Sequence, residues 1–134
     1  MNDRPTGVEL LRAVERFLER EVVPGLDGPR RYHARVAANV VAIVAREIET
    51  EAGQLQSEWE RLGALLGLRE QQPITRDALR DAVRERTQAL AARIRGGDAD
   101  RGPWRDELIA HLRRTIADKL AVSRPPRITR KESP

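Results

Sequence analysis

Between Val36 and Ala45 the chain carries one polar residue, Asn39, in a segment otherwise made of valine, alanine and isoleucine. The run is too short to cross a bilayer, which takes about 20 apolar residues. Its alanine content and its length of about three turns favour a helix over a buried strand. A helix that is apolar nearly all round needs cover on most sides. The segment Tyr32–Glu49 therefore predicts the central helix of a bundle. Its polar residues are grouped: at about 100° per residue, Arg35, Asn39 and Arg46 fall within roughly 40° of one another.

The flanking sequence supplies partners for such a helix. Thr6 with Glu9 three residues on has the spacing of a capping box. Leu10, Leu11, Val14, Phe17, Leu18 and Val22 then make one stripe at three- and four-residue intervals, which Pro24-Gly25 should stop. The central helix is expected to reach Glu51 and end at Gly53, or to bend there and continue through Leu55, Trp59, Leu62, Leu65 and Leu66 to Gly67. Gln71-Gln72-Pro73 breaks the pattern. Thr75 caps a further helix with Leu79, Val83, Leu90 and Ile94 on its apolar side. Gly96-Gly97 closes it. Pro103 suits the first turn of the last helix, whose expected buried face is Trp104, Leu108, Ile109, Leu112, Ile116 and Leu120. With no strand-period segment, the expected fold is all-α: a compact bundle of four to five helices around the central apolar helix. One domain is expected over residues 1–122. The segment 123–134 is expected to be a flexible, basic, proline-containing tail.

Composition narrows the function. With 134 residues the chain is long enough for one domain with a modest core. It has no cysteine, which removes disulfides, thiolate nucleophiles and sulfur-ligated metals together. No signal-peptide core or membrane-length run is present, so a cytoplasmic protein with no membrane partner is expected. The net charge of +4 invites a nucleic-acid reading. Interspersed signs such as Glu19-Arg20-Glu21 and Arg84-Glu85-Arg86 point instead to a solvated, ion-paired surface.

Catalytic signals are missing. There is no glycine-rich phosphate loop, no nucleophile elbow and no HExxH pair. Glu107 and His111 are four residues apart, whereas four-helix di-metal sites use Glu and His three apart in duplicate. No metal, cofactor or catalytic residue is expected, and the protein is not expected to be an enzyme. The candidate interaction residues are His33, Arg35, Asn39, Arg46 and Glu47. Arg35, Asn39 and Arg46 either form internal hydrogen bonds or hold a small anionic group through the guanidinium fork. His33 and His111 read as packing or capping residues, and Trp59 and Trp104 as half-buried covers.

Several segments carry a family resemblance: Asp3-Arg4-Pro5-Thr6 with Glu9-Leu10-Leu11, Tyr32-His33-Ala34-Arg35-Val36-Ala37-Ala38-Asn39, Ile43-Val44-Ala45-Arg46-Glu47, and the late His111-Leu112-Arg113 and Lys119-Leu120-Ala121-Val122 followed by Pro125. Together they resemble a family of small, uncharacterised bacterial helical proteins. Genes of that family commonly sit beside kinases of the aminoglycoside-phosphotransferase type and acyl-CoA dehydrogenases. Residues Gln54–Asp98 match only in pattern. The resemblance implies a non-catalytic accessory subunit that binds and stabilises or activates a kinase acting on hydroxyacyl-CoA compounds, and it supplies no catalytic residues. The expected contact elements are the exposed side of the central helix and the tail. A homo-oligomer through the same apolar surface is the other expected association, since helical bundles often self-associate. The alternatives are an anion-binding helical module built on Arg35, Asn39 and Arg46, and weak nucleic-acid binding.

Overall fold

The computed structural model describes residues 3–124, and these are helical or connecting, with no strand among them. Four helices follow in order: α1 (Gly7–Phe17), α2 (Gly28–Leu66), α3 (Arg76–Arg95) and α4 (Pro103–Ser123). A π turn at Leu18–Val22 and a 3-10 turn at Val23–Gly25 complete the descent from α1. The chain divides into two compact units, Met1–Glu51 and Ala52–Pro134. Helix α4 takes in Ser123, the first residue of the expected tail, and residues 125–134 lie outside those described.

The local signals in the sequence act as expected at the helix ends. At the start of α1 the Glu9 N–H donates to the Thr6 hydroxyl at 3.2 Å, and the Thr6 N–H donates to the Glu9 carboxylate at 2.8 Å. Each bond satisfies a donor that the first turn leaves unpaired, and such a cap is worth about 1 kcal/mol. Thr75 caps α3 through the Ala78 N–H, and Pro103 opens α4. Helix α2 passes through Gly53 without ending and stops at Gly67, whose φ of 68° is the left-handed conformation that glycine adopts freely. There the Leu68 N–H donates back to the Gly63 carbonyl at 2.9 Å, the six-to-one closure of a Schellman turn.

The first unit is a hairpin of α1 and the first part of α2, tied by an Arg12–Glu49 ion pair at 3.1 Å. Its buried apolar residues are Val23, Ala38, Ala42 and Ala45. Small side chains let the two backbones approach closely, but they cover only one side of α2. The expectation that Val36–Ala45 is enclosed is therefore corrected. Val36, Val40 and Val44 are 42%, 51% and 37% exposed, because no element of the hairpin reaches their side of the helix. Leu10, Val14 and Phe17, expected on the buried stripe of α1, are exposed as well.

In the second unit the core is Leu62 and Leu65 of α2, Leu79, Val83 and Leu90 of α3, and Leu108 of α4. Leu112, Ile116 and Leu120, expected on the buried face of α4, are exposed. Their four-residue spacing drifts about 40° per step, which carries them off the packed side.

This core admits one guanidinium. Arg86, 4% exposed, takes the α3 core position between Val83 and Leu90. It stacks over Trp59 at 4.0 Å from the ring centroid and donates to the Trp59 carbonyl at 2.8 Å. One turn pair further on, Arg93 stacks over Trp104 at 4.0 Å and donates to the Leu65 carbonyl at 3.0 Å. The Trp104 indole N–H donates to the same oxygen at 2.9 Å. The Leu65 carbonyl, in the last turn of α2, is thus satisfied by side chains of α3 and α4.

Replacing Arg86 by Met keeps the bulk but removes both the stacking and the hydrogen bond. We expect a loss of about 1–3 kcal/mol, read as a lower urea midpoint with helical content retained below the transition. An unchanged midpoint would mean that the guanidinium contributes nothing net to the fold.

Candidate functional site

The residues singled out in the sequence fall on two sides of the first unit. Arg35, Asn39 and Arg46 line a cleft of about 450 Å³, together with Glu15, Glu19, Val23, Ala38 and Ala42. Helical periodicity brings the three α2 residues to one edge, and α1 and the π turn after it contribute Glu15 and Glu19. Arg35 and Asn39 are exposed and Arg46 is half-buried. The stripe is thus the wall of an open groove, not a set of side chains inside the core.

Charge in the groove is balanced. Two guanidiniums face Glu15 and Glu19, and Glu15 is itself held by Arg12 at 2.9 Å. An anionic ligand would approach carboxylates as well as arginines, which weakens the attraction that a pure arginine pair would offer. His33 and Glu47 do not belong to this groove. Both are exposed on another side of α2, and the His33 ring stands edge-on to Tyr32 with centroids 5.7 Å apart.

The second unit holds a polar cluster that the sequence reading did not single out. Arg61, on α2, donates from Nε to Nδ1 of His111 at 3.4 Å, to the Ser57 hydroxyl at 2.6 Å and to the Thr115 hydroxyl at 3.4 Å. It also lies 3.7 Å from Asp118, which pairs with Arg114 at 3.2 Å. The Gln54 amide donates to the Asp118 carbonyl at 3.2 Å. His111, 6% exposed, has its pKa lowered below the ordinary 6.5, first by burial and then by the positive charge of Arg61. Beside it Arg61, Ala64, Leu65, Glu107, Ala110 and His111 line a second cavity of about 410 Å³.

His111 is a packing residue, as the sequence suggested, but a polar one. Its neutral ring accepts the hydrogen bond that a charged ring would refuse. The available clue was Ser57 and Arg61 one turn apart on α2, matched by His111, Thr115 and Asp118 on one side of α4. Among the described residues, no three His, Cys, Asp or Glu side chains converge as metal ligands would. No helix among them is long and apolar enough to cross a membrane.

Fold and clefts together define an all-helical protein whose polar clusters are largely paired internally. The chain belongs to the family described as a domain of unknown function, DUF6285, which covers residues 24–126. No curated protein and no solved structure matches the chain.

A pH dependence follows from His111. In the unfolded chain the ring takes up a proton around its ordinary 6.5, and in the folded protein only at lower pH. The unfolded state binds more protons across that interval, so stability present at neutral pH declines on acidification through it. Urea midpoints measured from about pH 7.5 to pH 5.5 should fall, and His111→Gln should flatten that slope. An equally steep slope in the variant would place the proton uptake elsewhere.

Proposed function

We propose that this protein is a non-catalytic interaction partner that binds and stabilises or activates a kinase of the aminoglycoside-phosphotransferase type. The observation that carries the reading is its exposed apolar surface. Leu10, Val14 and Phe17 on α1, Val36, Val40 and Val44 on α2, and Leu112, Ile116 and Leu120 on α4 stand at helical spacing and are open to solvent. Isolated apolar residues at a surface are ordinary, but aligned ladders of them mark contact sites. The choice of a kinase rests on the family resemblance of the Tyr32–Asn39 and Ile43–Glu47 segments, whose relatives' genes neighbour such kinases.

The α4 ladder suits this contact. Three branched side chains one turn apart present a ridge about 12 Å long, the kind of anchor row a helix offers to a groove. An interface of ordinary size takes about 800 Å² from each partner, more than one ridge supplies, so neighbouring polar residues would form its rim.

A second reading draws on the groove itself: a binding module for a small carboxylate or phosphate, with Arg35, Asn39 and Arg46 as donors. The open cleft favours it, and the facing Glu15 and Glu19 oppose it.

Co-expression with a kinase of the aminoglycoside-phosphotransferase type from the same genome should yield a complex that co-purifies and has higher kinase activity than the kinase alone. Ile116→Asp should break the complex while leaving the melting temperature within a few degrees, since Ile116 is 57% exposed. Separate elution with unchanged kinase activity would refute the proposal. Loss of activation on Arg35→Ala, with Ile116→Asp silent, would favour the groove.

A further inference from the structure

The side of α2 that faces away from α1 has an order of its own. His33, Val36, Val40, Val44 and Glu47 are spaced three, four, four and three residues apart. At about 100° per residue they fall within roughly 80° of one another, so they share one face. All five are exposed. The spacing reads the same in both directions about Val40, with an imidazole at one end and a carboxylate at the other.

That arrangement is complementary to itself only when inverted. Two copies of the helix laid antiparallel, with Val40 on the two-fold axis, bring Val40 against Val40 and Val36 against Val44 twice. They also bring His33 of each copy opposite Glu47 of its mate, twice. A parallel pairing would instead set imidazole against imidazole and carboxylate against carboxylate. The geometry points to an isologous homodimer of this protein through the His33–Glu47 face of α2. This goes beyond the kinase reading, which counts these valines in the exposed surface and tests the partner contact on α4: the α2 face is here assigned to a second copy of the chain, and its test needs no kinase.

The three valines are β-branched and stiff, so little side-chain freedom is lost when they interlock. His33 donates a ring N–H to the Glu47 carboxylate of the other copy, which fixes register as well as direction. The face extends about 21 Å along the helix axis. That is less than a standard interface offers, so the dimer forms weakly, in the micromolar range or above. A weak symmetric contact also explains why the exposed surface here is valine, compact and interrupted by charged ends, and not a broad leucine seam.

The absence of cysteine makes the register directly measurable. Val40→Cys puts two thiols across the two-fold, where the Cβ atoms come within disulfide reach. Under mild oxidation it should give a covalent dimer with native helical content. Val36→Cys alone should not, because its two copies stand about 12 Å apart along the axis. An equimolar mixture of Val36→Cys and Val44→Cys should cross-link between the two variants. In sedimentation equilibrium of the full chain, Val40→Glu should abolish the dimer with circular dichroism unchanged. Glu47→Arg should weaken it about tenfold or more, and the double variant His33→Glu/Glu47→Arg should restore it. A chain that stays monomeric up to about 1 mM, a dimer that survives Val40→Glu, or Val36→Cys cross-linking as readily as Val40→Cys would each overturn the inference.

Discussion

The second unit depends on two arginines laid on tryptophans, Arg86 buried and Arg93 half-buried. Arg86 and Arg93, seven apart on α3, each lie flat on a tryptophan and each hand an N–H to a carbonyl of α2, Arg86 to Trp59 and Arg93 to Leu65 in the last turn. The stacking is worth about 0.5–2 kcal/mol per pair. Geometry matters more than this sum. A carbonyl at a helix end has no partner within its own helix, and burying it bare costs about 1–3 kcal/mol. By capping the Leu65 carbonyl with the Arg93 guanidinium from α3 and the Trp104 indole from α4, the fold fastens three helices at the point where α2 stops. The leucines around them are free to pack because those polar ends are already satisfied.

The first unit is held differently. Its fully buried residues are three alanines and one valine at the turn, with Leu11, Leu18, Val22, Leu26 and Ile43 half-buried around them. The small buried side chains and the Arg12–Glu49 pair hold the hairpin, and Leu10, Val14, Phe17, Val36, Val40 and Val44 stand exposed. The same economy in side-chain size explains the groove: where no bulky residue fills the edge between α1 and α2, Arg35, Asn39 and Arg46 stand along an opening.

Much of this was legible in the residues, and the failures have identifiable causes. Thr6, Thr75, Pro103 and Gly67 set helix ends because capping and φ preference act within a turn, at a range the sequence displays directly. Gly53 left a stop and a continuing helix both open, and the helix continues: a glycine weakens a helix by about 1 kcal/mol, less than the packing on either side supplies. The enclosure of Val36–Ala45 was inferred from hydrophobicity, but hydrophobicity says only that cover is favourable, not that the same chain provides it. Ala38, Ala42 and Ala45 carried the missing information, since three small residues on one face mark where a helix approaches closely. Arg86 escaped notice because Arg84-Glu85-Arg86 looks like a solvated charge run. Its place in the Leu79, Val83, Leu90 series was the better guide, with two tryptophans elsewhere in the chain to receive it and Arg93.

Gly63 illustrates how a distant side chain can dictate the size of a residue. A Cβ there would stand 2.7 Å from Nη1 of Arg86 and 3.3 Å from the Leu68 carbonyl. The missing methyl group is the passage through which Arg86 reaches α2. A side chain at 63 therefore finds room only if the Arg86 guanidinium gives way, whereas a shorter residue at 86 would leave that space open.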